Sequence, residues 1–216
     1  LAAQISNRGV YSFCMCPGGT IVPASTANNE MVVNGMSNSK RNSYWANSGI
    51  VVEIREEDLQ SHQSHGALAG LVFQEELEEM AFRNGGKDFT APAQRIDDFM
   101  RKKISKSLPD CSYNPGIISS PMHFWLPESI GKRLSDAFRN FDKRMNGFSS
   151  RAGILVGVES RTSSAVRIPR NRDNYQHVEI AGLFPCGEGA GYAGGIVSSA
   201  LDGMLCAEGL DRVMNA

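Results

Sequence analysis

The sequence predicts an α/β or α+β fold. In this fold a β-rich region is interrupted by helices and is followed by a strand, a glycine loop and a final helix. Three observations carry this prediction. Short runs of β-forming residues fill positions 1–55, apolar residues recur at helical spacing within 56–150, and six glycines lie between 182 and 195. A chain of 216 residues is long enough to bury a core in one or two domains.

Three strands are predicted in the first 55 residues. The runs "GVYSFCMC" (9–16), "EMVVNGM" (30–36) and "SGIVVEI" (48–54) are rich in β-forming residues. Pro-Gly-Gly and Ala-Asn-Asn separate them, and both are typical of turns. This part of the chain should therefore be mostly β-structure.

Three helices are predicted in the middle of the chain, each with one apolar stripe facing the core. The first runs from Ala67 to Arg83 and stops at Asn84-Gly85-Gly86. The second opens at Thr90 and Pro92. The third follows Pro127 and closes at Asn146-Gly147. The second stripe is Ile96, Phe99, Met100 and Ile104, and the third is Ile130, Leu134, Phe138, Phe141 and Met145.

The last third of the sequence returns to β-structure and then ends in a helix. "GILVGVES" (153–160) and "VEIAGLFPC" (178–186) are the predicted strands. Two apolar stripes on the final helix, one of Ile196, Ala200 and Met204 and one of Val197, Leu201 and Leu205, predict packing against a sheet. The predicted division is a substrate and insertion region over 1–172, β-rich at 1–55 and 151–172 and helical at 56–150, and a C-terminal segment over 173–216.

Composition narrows the class of protein. A net charge of −1 gives no reason to expect nucleic acid or a membrane surface as partner, and no apolar run reaches the ~20 residues that span a bilayer. Five cysteines, odd in number and irregularly spaced, indicate reduced thiols in the cytoplasm. The N-terminus "LAAQISNRGV" has neither Met nor a signal-peptide core, so we expect a processed chain or a fragment.

The glycine loop partly matches a dinucleotide-binding motif. Gly189, Gly191 and Gly194 fit G-x-G-x-x-G, a turn that brings phosphate to the amides of a helix N-terminus. A Rossmann unit, however, needs a second strand after this turn and an acidic residue about 20 positions on. Glu208 has that spacing but lies inside the predicted helix. The loop therefore either closes a nucleotide site opened elsewhere or serves as a tight turn for helix packing.

Several further stretches resemble one family. They are "YSFCMCPGG" (11–19), "NGMS" (34–37), "RN" (41–42), "AN" (46–47), "APAQ" (91–94), "GVESRTSS" (157–164) and "PCGEGAGYAGGI" (185–196). Together they resemble the uncharacterised FAD-dependent dehydrogenases, or NAD(FAD)-utilizing dehydrogenases. These are distant relatives of the aminoacetone-oxidase-like and BaiN-like flavoproteins. The resemblance implies an FAD-dependent oxidoreductase whose substrate is unknown.

The resemblance also implies which residues contact the cofactor. In such flavoproteins the last strand ends in an acidic residue that holds flavin ribityl or ribose hydroxyls, and the next helix aims its amides at the pyrimidine carbonyl. The implied FAD-contacting residues are Gly187, Glu188, Gly189, Gly191, Gly194, Gly195 and Ile196. NAD(P)H is a candidate second cofactor. The pyrophosphate-binding turn of the family lies outside this sequence, so the expected partner is an N-terminal FAD-binding half, without which this chain should be inactive.

Two cysteines and one arginine are the candidate catalytic residues. Cys14 and Cys16 could act beside a flavin as redox partners or general acids, or they could be buried thiols on one face of a strand. Arg161 could clamp a carboxylate or phosphate or pair with flavin charge, although the arginines of this stretch could also form a solvated face. Arg170 and Arg172 are expected to face solvent.

A polar cluster provides candidate substrate-binding residues. Asn34, Arg41 and Asn47, together with Asn38, could bind substrate or stabilise turns. No metal site is expected. The spacing of C-x-C fits zinc poorly, and the histidines of "QSHQSHGA" are predicted to lie in an exposed loop.

Two other functions stay open at this point. One is a non-catalytic module that binds a ligand or a partner. The other is a flavoprotein that acts on nucleic acid, which a concentrated basic face would favour. Residues 151–172 hold five Arg and one Glu, a local excess of four, so nucleic acid is not expected as a partner.

Overall fold

The computed structural model describes residues 1–215, which mix helices and strands and confirm the α+β class. These residues form two compact units. The first comprises Leu1–Asp58 and Glu75–Ser160, and the second comprises Leu59–Gln74 and the described residues from Arg161 onward.

The strands and helices alternate irregularly along the chain. The strands are β1 (Ala2–Ile5), β2 (Arg8–Cys16), β3 (Gly19–Pro23), β4 (Val33–Ser37), β5 (Asn47–Val52), β6 (Ala91–Arg95), β7 (Ile117–Ser119) and β8 (Ile154–Val156). The helices are α1 (Ala69–Asn84), α2 (Ile96–Met100), α3 (Met122–Trp125), α4 (Glu128–Arg144) and α5 (Ile196–Met214), and 3₁₀ turns cover Glu56–Leu68.

Three small sheets build the first unit. Strands β1, β2 and β5 pair antiparallel in that order, and β3 and β4 form a separate antiparallel pair. Strand β6 lies between β7, which is parallel to it, and β8, which is antiparallel. The predicted strands at 9–16, 30–36, 48–54 and 153–160 correspond to β2, β4, β5 and β8, whereas β1, β3 and β7 were not predicted.

Helix α4 supplies much of the core of the first unit. Leu134, Phe138 and Phe141 are buried on one face of the helix, as their spacing predicts. They pack in one cluster with Val10 of β2 and Phe99 of α2. Phe138 and Phe99 meet edge to face, with ring centroids 6.1 Å apart.

The predicted second helix starts later than expected. Residues 91–95 form the central strand β6, and α2 begins only at Ile96 and ends at Met100. Two physical reasons account for this. Pro92 disfavours helical backbone at the residue before it, and the small, fully buried Ala91 and Ala93 let strands approach on both sides. Ile104 is 66% exposed and lies beyond the helix.

The histidine pair also differs from the prediction of an exposed loop. His62 lies in the 3₁₀ turns and is buried, with its ring edge-on to Phe73 at 5.5 Å. His65 is exposed. Burial of one ring against an aromatic neighbour explains why this polar stretch takes an ordered conformation.

The predicted strand at 178–186 does not form. The His177 N–H donates to Leu183 O at 2.7 Å, and Gly182 turns the chain at φ +78°. A strand needs a neighbour to receive its backbone hydrogen bonds, and within the described residues the isolated bridge nearest to this stretch joins Arg170 to His177, the residue before it. Its apolar residues remain largely exposed, with Val178 at 58%.

Helix α5 forms as predicted but does not pack through its apolar stripes. Ile196 and Val197 are 92% and 72% exposed, and Leu201 and Met204 are also exposed. The face that packs within the second unit carries Cys206 and Gly209. No helix within residues 1–215 is long and apolar enough to cross a membrane.

Candidate functional site

The glycine loop between residues 187 and 195 folds over a neighbouring segment of the second unit. Gly187 and Gly191 take left-handed conformations, at φ +69° and +81°. A β-carbon on Gly191 would lie 2.6 Å from Val166 O, so only glycine fits this close approach. Side chains tie the two segments together, because Arg167 Nε donates to Gly191 O at 3.0 Å and Tyr192 Oη donates to Ile168 O at 2.9 Å.

Three other glycines of the loop have no packing role. A β-carbon on Gly189 or Gly194 would meet no atom within 4 Å, and one on Gly195 would meet only Ser198 Oγ at 3.5 Å. Backbone left bare on an open surface suits close approach of a ligand. Packing against neighbouring segments therefore does not account for the glycines at these three positions.

Asp202 anchors the loop to helix α5. Its Oδ2 accepts the Gly187 N–H at 2.8 Å, and its two oxygens receive a forked pair of bonds from Arg170 at 2.6 and 2.9 Å. Both side chains are nearly buried. The Arg170 hydrogen bond lowers the pKa of Asp202, which keeps the carboxylate ionised.

Arg170 does not face solvent, contrary to the sequence prediction. Its guanidinium lies 3.6 Å from the Tyr192 ring centroid and 4.8 Å from that of Tyr175, and it donates to Pro185 O at 2.7 Å. A planar guanidinium stacks on aromatic rings while its edges form hydrogen bonds, which explains the burial. Arg172 is exposed, as expected.

The beginning of α5 lies at the end of the loop. The hydroxyl of Ser198 bonds the backbone of Gly195, accepting from its N–H at 3.1 Å and donating to its carbonyl at 3.0 Å. The first N–H groups of a helix have no acceptor within the helix, and the dipole makes this end favourable for negative charge. Ile196 lies in this first turn, and Glu188 is exposed in the loop before it.

A second group of candidate residues lies in the first unit. Two residues of β2, Cys14 and Met15, stand opposite the single residue Ser48 of β5, because the register shifts between Phe13↔Gly49 and Cys16↔Asn47. Cys14 has φ +44° in this bulge. The sequence interpretation of two buried thiols on one strand face is wrong, because the bulge breaks the alternation of side chains. Cys14 is exposed and Cys16 half-buried.

The electrostatics at Cys14 disfavour a thiolate. Although Cys14 is exposed, partial desolvation raises the pKa of its thiol, and the neighbouring Glu159 and Cys16 raise it further. The Cys16 thiol donates a hydrogen bond to Cys14 O at 3.1 Å. Thiolate chemistry needs a lowered pKa, so this environment does not activate Cys14 as a nucleophile at neutral pH.

The polar cluster of the sequence analysis divides into exposed and buried members. Asn34 of β4 and Arg41, which has φ +48°, are exposed, as is Asn38, whose side chain accepts the Arg41 N–H at 2.7 Å. Asn47 of β5 differs, because both its amide atoms are buried and neither has a hydrogen-bond partner. β-carbons on Gly19 and Gly35 would collide with this amide.

The candidate residues are divided between the two units. Cys14, Cys16, Asn34, Arg41 and Asn47 belong to the first unit. The second unit holds Arg161, which is half-buried, and the whole loop from Gly187 to Ile196. Among residues 1–215, no three His, Cys, Asp or Glu side chains are grouped so that they could hold a metal ion.

Three important side chains were missed by the sequence analysis. Asp202 and Arg170 are 32 positions apart, and nothing in their spacing predicts a pair. Glu159, which lies beside Cys14, did carry a signal, because it is the single acid in the basic stretch 151–172 and stands within "GVESRTSS".

Comparison with known proteins identifies the class. Residues 1–162, three quarters of the chain, match the family described as "FAD-dependent protein, C-terminal domain-like". The chain belongs to this family, which is flavoprotein-related.

The chain is also similar to part of a longer protein. The chain is 41% identical, over 204 residues, to an uncharacterised protein of Clostridium beijerinckii. The match covers 94% of this chain and 38% of that protein, so the chain spans less than two fifths of its relative's length.

Proposed function

We propose that this chain is the C-terminal part of a longer FAD-dependent oxidoreductase of the NAD(FAD)-utilizing dehydrogenase type. The bound FAD would supply two-electron transfer, as a hydride or as separate electrons, to or from a small substrate of unknown identity. NAD(P)H is a candidate reductant, and a cytoplasmic location without a nucleic-acid partner forms part of the same proposal.

One structural observation supports the proposal in addition to membership of the family. A loop with three unpacked glycines, Gly189, Gly194 and Gly195, leads directly into the N-terminus of the 19-residue helix α5. A flat ring with carbonyl oxygens needs bare backbone and N–H donors at close range, and this segment offers both. The residues present therefore fit the ribityl and pyrimidine part of FAD.

Each residue of the loop has a distinct part in this proposal. Gly187 and Gly191 set the path of the backbone, while Gly189, Gly194 and Gly195 leave room for the cofactor. The Glu188 carboxylate would accept hydrogen bonds from ribityl or ribose hydroxyls, and the Ile196 N–H would face the pyrimidine carbonyl. Arg161 would bind an anionic group of the substrate or the flavin.

The proposed partner is an N-terminal half that carries the rest of the FAD site. The exposed apolar side chains of α5, with Ile196 92% and Val197 72% exposed, support this proposal. Large apolar faces mark association surfaces. The division into a substrate region over 1–172 and an FAD-binding segment over 173–216 belongs to the same proposal.

A substitution at Glu188 tests the proposed contact between the loop and FAD. In the longer protein, Glu188→Ala should weaken FAD binding by about 1.5–3 kcal/mol, since a charged hydrogen bond is lost. Fluorescence titration of apoprotein with FAD measures this change. Glu179→Ala is the matched control, because Glu179 is also an exposed glutamate of the second unit. Equal affinity of the Glu188→Ala variant and the wild type would remove the role given to Glu188.

A further inference from the structure

The segment that leads into the glycine loop lies along one face of helix α5. The Cys206 thiol donates to Pro185 O at 3.8 Å, and the Gly187 N–H donates to Asp202 Oδ2 at 2.8 Å. Asp202 and Cys206 are four positions apart, so they share one face of the helix. Cys186 stands between Pro185 and Gly187, and the contacts of both neighbours therefore hold it beside this face.

This placement brings two thiols of the second unit together. Cys186 is exposed, whereas Cys206 is buried, with 4% of its surface accessible, and a hydrogen bond joins the two side chains. Both are free thiols in the structure. Arg170 Nη1 lies 3.0 Å from Cys206 Sγ. Burial is the main reason that the pKa of the Cys206 thiol is raised, and the Arg170 guanidinium acts in the opposite direction.

The pair has the geometry that thiol–disulfide exchange needs. Two cysteine side chains that share a hydrogen bond need little movement to reach the S–S bond length of about 2.05 Å. Cys186 is accessible to a reagent in solution, and Cys206 is accessible to Cys186. A guanidinium beside a sulfur stabilises its thiolate as it forms. The other three cysteines belong to the first unit.

We propose that Cys186 and Cys206 form a reversible disulfide at the beginning of the glycine loop, with a low-molecular-weight disulfide, RSSR, as the oxidant. The Cys186 thiolate attacks one sulfur of RSSR, the S–S bond breaks, and RS⁻ leaves and takes up the proton that Cys186 lost. The Cys206 thiolate then attacks the Cys186 sulfur, and the second RS⁻ leaves with the proton from Cys206. The two cysteines lose two electrons, RSSR gains them as two RSH, and excess RSH reverses both steps.

The disulfide acts on the loop because of where it lies. In the reduced protein the Asp202 hydrogen bond to Gly187 holds the start of the loop on α5. The S–S bond adds a covalent link one residue earlier, so oxidation ties the loop more firmly to the helix. Cytosolic disulfides are usually transient and either catalytic or redox-sensing. The exchange itself needs no flavin, so it does not depend on the proposed FAD site.

Equilibration of this chain with mixtures of reduced and oxidised glutathione tests the pair. Free thiols are then blocked with iodoacetamide, and the protein is cut with a glutamate-specific protease. Glu188 lies between the two cysteines, so their peptides stay together only through a disulfide, which mass spectrometry detects. We expect the Cys186–Cys206 link under oxidising mixtures and its loss in dithiothreitol. Cys111→Ser, at a cysteine of the first unit, should form the same link.

Two results with the wild type would overturn the proposal. One is that both thiols stay alkylated, or that Cys186 stops as a mixed disulfide with glutathione. The other is a yield of the link that falls when the chain is diluted, since that would place the two sulfurs on different molecules.

Single variants test the order of the two steps. Cys206→Ser should lose the link and accumulate the mixed disulfide of Cys186 with glutathione, because the second thiol is missing. Cys186→Ser should leave Cys206 without glutathione in the folded chain, because that thiol is buried. Glutathione on Cys206 in Cys186→Ser, to the extent seen on Cys186 in Cys206→Ser, would overturn the assignment of Cys186 as the first thiol to react.

Discussion

Asp202 and Arg170 form a nearly buried ion pair in the second unit. Arg170 contacts two tyrosine rings, a carbonyl and the Asp202 carboxylate. Asp202 in turn holds the start of the loop by accepting a hydrogen bond from the Gly187 N–H. Removing one partner of a buried ion pair leaves the other charge buried and unpaired. The loop conformation therefore depends on a pair that a ligand need never touch.

Asp202→Ala should destabilise the second unit by about 3–5 kcal/mol. Because the pKa of Asp202 is lowered from 3.8, its stabilising effect is complete above that value and is lost as pH falls through the lowered pKa. Urea unfolding at pH 7 and at low pH measures this difference. Asp211→Ala, at an exposed acid of the same helix, should change stability by less than about 0.5 kcal/mol. Similar effects of the two variants would show that the buried pair contributes little.

Glu159 should have the opposite dependence on pH. Its pKa is raised above 4.5, so the folded protein favours the protonated form, and this contribution is present below 4.5 and lost as pH rises through the raised pKa. Glu159→Gln keeps the side chain neutral, so its Tm should exceed that of the wild type at pH 7, with the difference disappearing below pH 4.5. Thermal unfolding across this range decides the point. A Tm difference that stays constant with pH would contradict the inferred burial of the charge.

At the scale of elements, local pattern predicted some segments and misled at others. Helices α1 and α4 and strands β2, β4, β5 and β8 follow from the spacing and type of their own residues. The apolar run at 178–186 has the same β-forming character, but its structure depends on a neighbouring strand, which local pattern cannot supply. Strand β6 is the opposite case. Its sequence "APAQR" has little β-forming character, yet it forms a strand because it pairs with a neighbouring strand on each side.

Helix α5 carries a prediction about association. Its exposed apolar face should cause this chain to self-associate when it is purified alone. Replacing Val197 and Leu201 by serine should shift the chain toward monomer in size-exclusion chromatography with light scattering. Glu208→Ser, at an exposed polar position of the same helix, is the control and should leave the distribution unchanged. Equal distributions for all three proteins would exclude this face as the cause of association.

For the whole molecule, the α+β class and the FAD-dependent family both agree with the sequence prediction. The family match covers residues 1–162, whereas the glycine loop at 187–195 lies outside it, so the two observations are independent. Pairs distant in sequence, such as Arg170 with Asp202 and Cys14 with Glu159, could not be predicted because folding alone brings them together.

The central claim is that the glycine loop closes an FAD site in a longer protein. This chain alone should retain no FAD, because one wall of a site cannot offset the roughly 4–15 kcal/mol cost of association. In the longer protein, Gly195→Val places a branched side chain where the cofactor would approach, while Gly203→Val, at an open glycine within α5, is the matched control.

The flavin content of these proteins after desalting, read from absorbance at the flavin band, is the most direct test of the claim. We expect flavin in the wild-type longer protein and in Gly203→Val, and none in Gly195→Val or in the chain alone. Normal flavin content in Gly195→Val, or near-stoichiometric flavin on the chain alone, would contradict it.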